Sequence, residues 1–99
     1  MAIEHLVIMK LCNAVSEEEI QALYRECEAH FEKIPGVVSV SMGANLRAKA
    51  SFTHALVIRF EALKALEAFK ADPNHVAAGK RMQEVFCEFV IVDYETERN

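Results

Sequence analysis

Three of the four histidines stand where a side chain could do acid–base work: His5 and His54 open two β-rich runs, and His75 follows the turn Asp72-Pro73-Asn74. An imidazole titrates near neutrality and can donate, accept or ligate, so three that converge would make a site. Each also has a plainer reading. His5 and His54 suit satisfied core histidines at strand ends, and His75 has three roles open to it: a turn histidine bonded to a backbone carbonyl, a ligand contact, or a general base. His30, among glutamates late in a helical stretch, reads as a surface partner of the helix dipole.

Other chemistries find less support. Three neutral imidazoles would suit zinc, copper or iron, but no His-x-x-x-His spacing occurs, so no metal and no cofactor is expected. There is no Gly-x-Ser-x-Gly elbow for a nucleophile, and Gly43-x-Asn45 is no phosphate loop. Cys12, Cys27 and Cys87 are odd in number, scattered and without a C-x-x-C spacing, so three reduced thiols are expected, with Cys27 and Cys87 as small core hydrophobes. The chain has no tryptophan, so no indole can take part in such chemistry.

The elements that must position these histidines are legible from periodicity. Ile3 to Leu11 is apolar on both alternating faces, as a strand covered on both sides must be. Ser16-Glu17-Glu18-Glu19 is a capping box, in which Ser16 accepts from the amide of Glu19 and Glu19 reaches back to the amide of Ser16. Ile20, Leu23, Tyr24, Cys27 and Phe31 then mark one face of a helix that Pro35 ends. Ile34-Pro35-Gly36 turns the chain into a strand over Val37 to Met42, and a polar loop begins at Gly43 and runs to about Ser51. A strand over Phe52 to Phe60, a helix over Glu61 to Lys70, a second helix over about Asn74 to Glu84 and a strand over Phe86 to Tyr94 complete the chain.

The order β-α-β, then β-α-α-β, describes an α+β fold: a ferredoxin-like β-α-β-β-α-β sandwich in which helices cover one face of a four-stranded antiparallel sheet. Alternation puts His5 with Val7 and Met9, and His54 with Leu56 and Ile58, so His5, His54 and His75 are expected to share one cavity between sheet and helices. The opposite face carries Leu6, Ile8, Ala55 and Val57, an apolar patch larger than a monomer tolerates, in a 99-residue chain that is 53% hydrophobic. A homodimer through the sheet faces, a dimeric α/β barrel, follows as the expectation. Residues 1–99 are read as a single domain.

Eleven basic against 15 acidic residues leave a net charge of −4 with no basic stripe, so no nucleic acid is expected as a partner. The longest apolar run, Phe89 to Val92, is too short for a bilayer, so no membrane is expected either. A cytoplasmic location follows from the same reading.

Glu4-His5-Leu6-Val7-Ile8, Ile34-Pro35-Gly36-Val37, Gly43 with Asn45, Phe52-Thr53-His54, Asp72-Pro73-Asn74-His75 and Val90-Ile91-Val92-Asp93-Tyr94 occur in an order that spans nearly the whole chain. In this set the sequence resembles the stress-responsive A/B barrel (Dabb) domain family. The resemblance implies a dimeric α/β barrel with a pocket between sheet and helices. From a plant polyketide cyclase of that family, it implies acid–base work by His75, with His5 and His54 beside it and Val7, Met9, Leu23, Val40 and Leu56 lining the pocket. The tyrosine that partners the histidine in that cyclase corresponds here to Phe69, which has no hydroxyl to donate a proton or hold a tautomer. Tyr24, on the pocket face of the first helix, is the alternative phenol.

Two functions therefore stand side by side. One is a small dimer that binds a modest apolar or aromatic molecule. The other is a cyclase or lyase in which His75 removes a proton next to a carbonyl and His5 or His54 polarises the oxygen. Phe69 favours the first.

Overall fold

In the computed structural model, which describes residues 1–47 and 49–97, the chain runs β1 (Ala2–Leu11), α1 (Glu17–Glu32), β2 (Val37–Ala44), β3 (His54–Phe60), α2 (Leu63–Phe69), α3 (Pro73–Gln83) and β4 (Phe86–Thr96). The strands form one antiparallel sheet in the order β2-β3-β1-β4. This is the ferredoxin-like α+β arrangement expected above, with the first and last strands side by side. Ala48, inside the expected polar loop, lies outside the described residues.

Local chemistry explains the boundaries. Ser16 caps α1 by accepting from the amide of Glu19 at 3.2 Å, while its hydroxyl donates to the Glu19 carboxylate at 3.1 Å. The reciprocal half of the capping box thus closes side chain to side chain rather than onto the Ser16 amide. Gly36 has φ +87°, and a Cβ there would fall 2.4 Å from that of Ala65, so the turn into β2 requires glycine twice over. Asp72 caps α3 by accepting from the amide of Asn74 at 2.8 Å, and Pro73 sits at the first helical position, where a missing N–H costs nothing.

β3 starts two residues later than its apolar run. The Thr53 hydroxyl accepts from the Leu11 amide at 2.9 Å, a place the ladder would otherwise give to a carbonyl, and regular pairing begins at Met9 opposite His54.

One face of the sheet, carrying Ile3, Val7, Met9, Leu56, Ile58 and Phe60, is buried under the helices with Ile20, Leu23, Cys27 and Phe31 of α1. The other face alternates out of step with it. Leu6, Ile8, Ala55 and Val57 are half-buried there, while Val90, Val92 and Tyr94 are exposed. Two cross-strand ion pairs, Glu4 with Arg59 and Lys10 with Glu88, sit on the same face. The described residues contain no helix long and apolar enough to cross a membrane.

The cysteines depart from expectation. Cys12 and Cys87 form a disulfide, with Cα atoms 5.7 Å apart, that joins the end of β1 to the start of β4. Both are exposed, so Cys87 is a staple and not a core hydrophobe. Seventy-five residues separate the pair, and only the antiparallel register of β1 on β4 brings them together. Such a bond also sits poorly with the reducing compartment expected for the chain. Cys27 is free and fully buried, as its place on the α1 stripe implies. Burial, and then the neighbouring Glu26 carboxylate, push its thiol up to about 11, so it stays protonated and inert.

Candidate functional site

A cavity of about 520 Å³ lies between the sheet and the α2–α3 pair. Val7 of β1, Leu56 of β3 and Phe89 and Ile91 of β4 form its floor, and Phe31, Leu66, Phe69 and Met82 come from the helices. The polar groups are His5 and Asp93 on adjacent strands, His75 and Lys70 near the start of α3, and Gln83 at its far end. An apolar chamber with a few convergent polar groups is the usual form of a small-molecule site.

Why the space stays open follows from the helices. α1 packs against β2 and α3 and fills its part of the interior with Leu23 and Cys27, both excluded from solvent. α3 instead turns Ala78 and Gly79 toward the interior, and a Cβ at Gly79 would meet nothing within 4 Å. Small residues on that helix leave a gap over β1 and β4.

His5 is buried at 8% exposure, and its Nδ1 hydrogen-bonds the Asp93 carboxylate directly across the β1–β4 pairing. His75, in the first turn of α3, points Nδ1 at the carbonyl of Lys70, 3.2 Å away. Phe69 stands between the two imidazoles, its ring centroid 5.4 Å from that of His5 and 4.2 Å from that of His75. It is the shared wall of the pair, also in tilted contact with Phe31 and edge-to-face contact with Phe60.

His54 does not join them. Its ring lies 5.2 Å from Phe86 and 6.4 Å from Tyr24, and its Nδ1 meets the Thr53 hydroxyl at 2.8 Å. His5 pairs with Ile58 in β3, whereas His54 pairs with Met9, four residues further along β1. The expected convergence of three histidines is therefore a convergence of two, because sharing a face does not bring side chains to the same level of the sheet. Burial pushes the His54 imidazole below its usual value, against the pull of the Glu17 carboxylate. The same burial, helped by Glu17, raises the Tyr24 phenol.

Of the residues expected at the site, His5, Val7, Leu56, Phe69 and His75 line the cavity. Met9 and Leu23 are solid core, Val40 packs against that core from β2, and Tyr24 sits with His54 outside the cavity lining. Asp93 was not singled out by sequence reasoning. Its signal was present in the alternation of Ile91 and Asp93 along the last strand, but the partner is 88 residues away. Among the described residues no group of three His, Cys, Asp or Glu side chains could hold a metal ion.

Comparison with known proteins places this geometry. The sequence profile of the Stress responsive A/B Barrel Domain matches residues 3–96. Olivetolic acid cyclase from Cannabis sativa is 23% identical over 97 residues, 95% of this chain and 96% of the cyclase. Among solved structures, a dimeric protein of unknown function and ferredoxin-like fold from Bacteroides fragilis is 27% identical with a TM-score of 0.74, covering 96% of each chain. A hydroxynitrile lyase from Passiflora edulis superposes with a TM-score of 0.81 at 19% identity, over 99% of this chain and 96% of the lyase, a likeness of fold alone.

Proposed function

The chain belongs to the stress-responsive A/B barrel domain family, and from that premise we propose that it binds a modest apolar or aromatic molecule in the cavity between the sheet and the α2–α3 pair. The observation that carries this reading is the cavity itself: apolar on floor and roof, with His5, Asp93 and His75 gathered at one end. Apolar walls supply affinity and the imidazoles supply orientation.

A second reading, acid–base catalysis of a cyclase or lyase kind, is favoured by the placement of His75. Its Nδ1 is held by a carbonyl, so the neutral ring offers Nε2 as a base. Phe69 weighs against the cyclase form of this chemistry, since no hydroxyl stands between the two imidazoles. Binding with orientation is the function the geometry supports best.

The apolar open face of the sheet supports assembly as a homodimer, and the Bacteroides fragilis neighbour is itself dimeric. Val57, on that face, is the residue to charge: Val57→Asp should convert the dimer to a monomer by sedimentation. Sedimentation of the unaltered chain as a monomer at micromolar concentration would refute the dimer.

Titration with butylbenzene, followed by amide NMR shifts, tests the cavity. Saturable changes are expected around Leu66, Met82 and Ile91, with Tyr24 and His54 little moved. No saturable binding, or changes centred on the His54 end, would overturn the reading.

A further inference from the structure

The two imidazoles at the cavity are wired alike. A carbonyl oxygen only accepts, so the Lys70 carbonyl at 3.2 Å holds the proton of neutral His75 on Nδ1. An ionised carboxylate also only accepts, so Asp93 holds the proton of neutral His5 on Nδ1 as well. When both rings are neutral, the nitrogen each leaves for a ligand is Nε2, carrying a lone pair and no hydrogen. Neither Nε2 has a hydrogen-bond partner among the described residues.

An apolar cavity that ends in two acceptors and a carboxylate has a definite chemical preference. A ligand that donates a hydrogen bond satisfies an Nε2. One that only accepts leaves it bare, and a ligand carboxylate additionally faces Asp93. Resting on the binding reading above, we propose that this site selects hydrogen-bond donors on an apolar body, a phenol or an enol, over the same body without a hydroxyl and over the corresponding carboxylate. Lys70 is the group that would favour the carboxylate, but it is exposed at the rim and its charge is screened by water.

Three probes of one shape separate the possibilities: 4-butylphenol, butylbenzene and 4-butylbenzoate, titrated calorimetrically into the full chain at pH 7.5. The phenol should bind about tenfold tighter than butylbenzene, the gain of one well-made hydrogen bond, and tighter than the benzoate. In the double variant His5→Phe/His75→Phe, which removes both acceptors and is checked for an unchanged circular dichroism spectrum, that preference should fall below about threefold. Long-range ¹⁵N correlation NMR of the unaltered chain reads the tautomers without any substitution, and the Nδ1–H form is expected at His5 and His75. A phenol that binds no better than butylbenzene, a benzoate that binds tightest, or Nε2–H tautomers would overturn the donor preference while leaving the cavity reading in place. If none of the three probes binds, both fall.

Discussion

His5 and His54 are equally buried, both at 8% exposure, on the same face of neighbouring strands, and yet they live in opposite surroundings. His5 meets a carboxylate at the edge of an open cavity, with the Phe60 and Phe69 rings beside it. His54 meets a hydroxyl that already serves the Leu11 amide, and it is walled by Phe86 and Tyr24 close to the Cys12–Cys87 staple. One end of the sheet borders a cavity; the other is closed by packed rings. Burial alone does not distinguish a working histidine from a structural one. The identity of its partner and the space beside it do.

The contrast can be broken most severely at the open end. Phe69→Ala removes the wall shared by His5, His75, Phe31 and Phe60, and a buried Phe→Ala costs roughly 3–5 kcal/mol. A fall in melting temperature of more than about 12 °C is expected by calorimetry, at 4–8 °C per kcal/mol for a chain of this size. A smaller fall would mean that the cavity lining relaxes into the gap.

At the shut end the test is reduction. Removing the Cys12–Cys87 bond with a reductant, or by Cys12→Ser, should cost roughly 2–4 kcal/mol through the freed unfolded chain. Butylbenzene affinity should change less than about twofold, because neither Cys12 nor Cys87 lines the cavity. Parallel loss of binding on reduction would join the two ends that the structure separates.

The finest difference is in pH. His54 is held neutral by burial, so its folded-state value lies below the unfolded value of 6.5. The unfolded chain then binds the proton more readily. Stability from this group is full above pH 6.5 and is lost as pH falls through that value toward the lower folded one. His54→Gln should flatten the acid limb of a melting-temperature profile measured between about pH 7.5 and 5. An unchanged limb would mean that other groups set it.

The same two ends show how far the sequence could be read. Each helix carried its own signature, from the Ser16 cap and the Ile20-to-Phe31 stripe to the Asp72-Pro73 start of α3, because such signals are encoded within a turn or two. His5, Val7, Leu56, Phe69 and His75 were reachable because alternation and the family resemblance both pointed to them. Asp93 and the Cys12–Cys87 bond were not, since each depends on the register of β1 against β4, the two ends of the chain, which no local period records. His54 misled for a related reason: period two assigns a face but not a level along the strand.

Gly79 has no positive φ and no neighbour crowding its α-carbon, so neither backbone nor packing demands a glycine there. In mid-helix it costs about 1 kcal/mol against alanine, a loss of stability with no structural return. On the binding reading, its return is access to the cavity that it lines. The series Gly79→Ala, Val, Leu would act as a graded sieve at the mouth of the chamber, and ligand girth, more than ligand polarity, would decide which step of the series shuts it. On the binding reading, this one position could change the room in the cavity while the imidazoles that line it remain as they are.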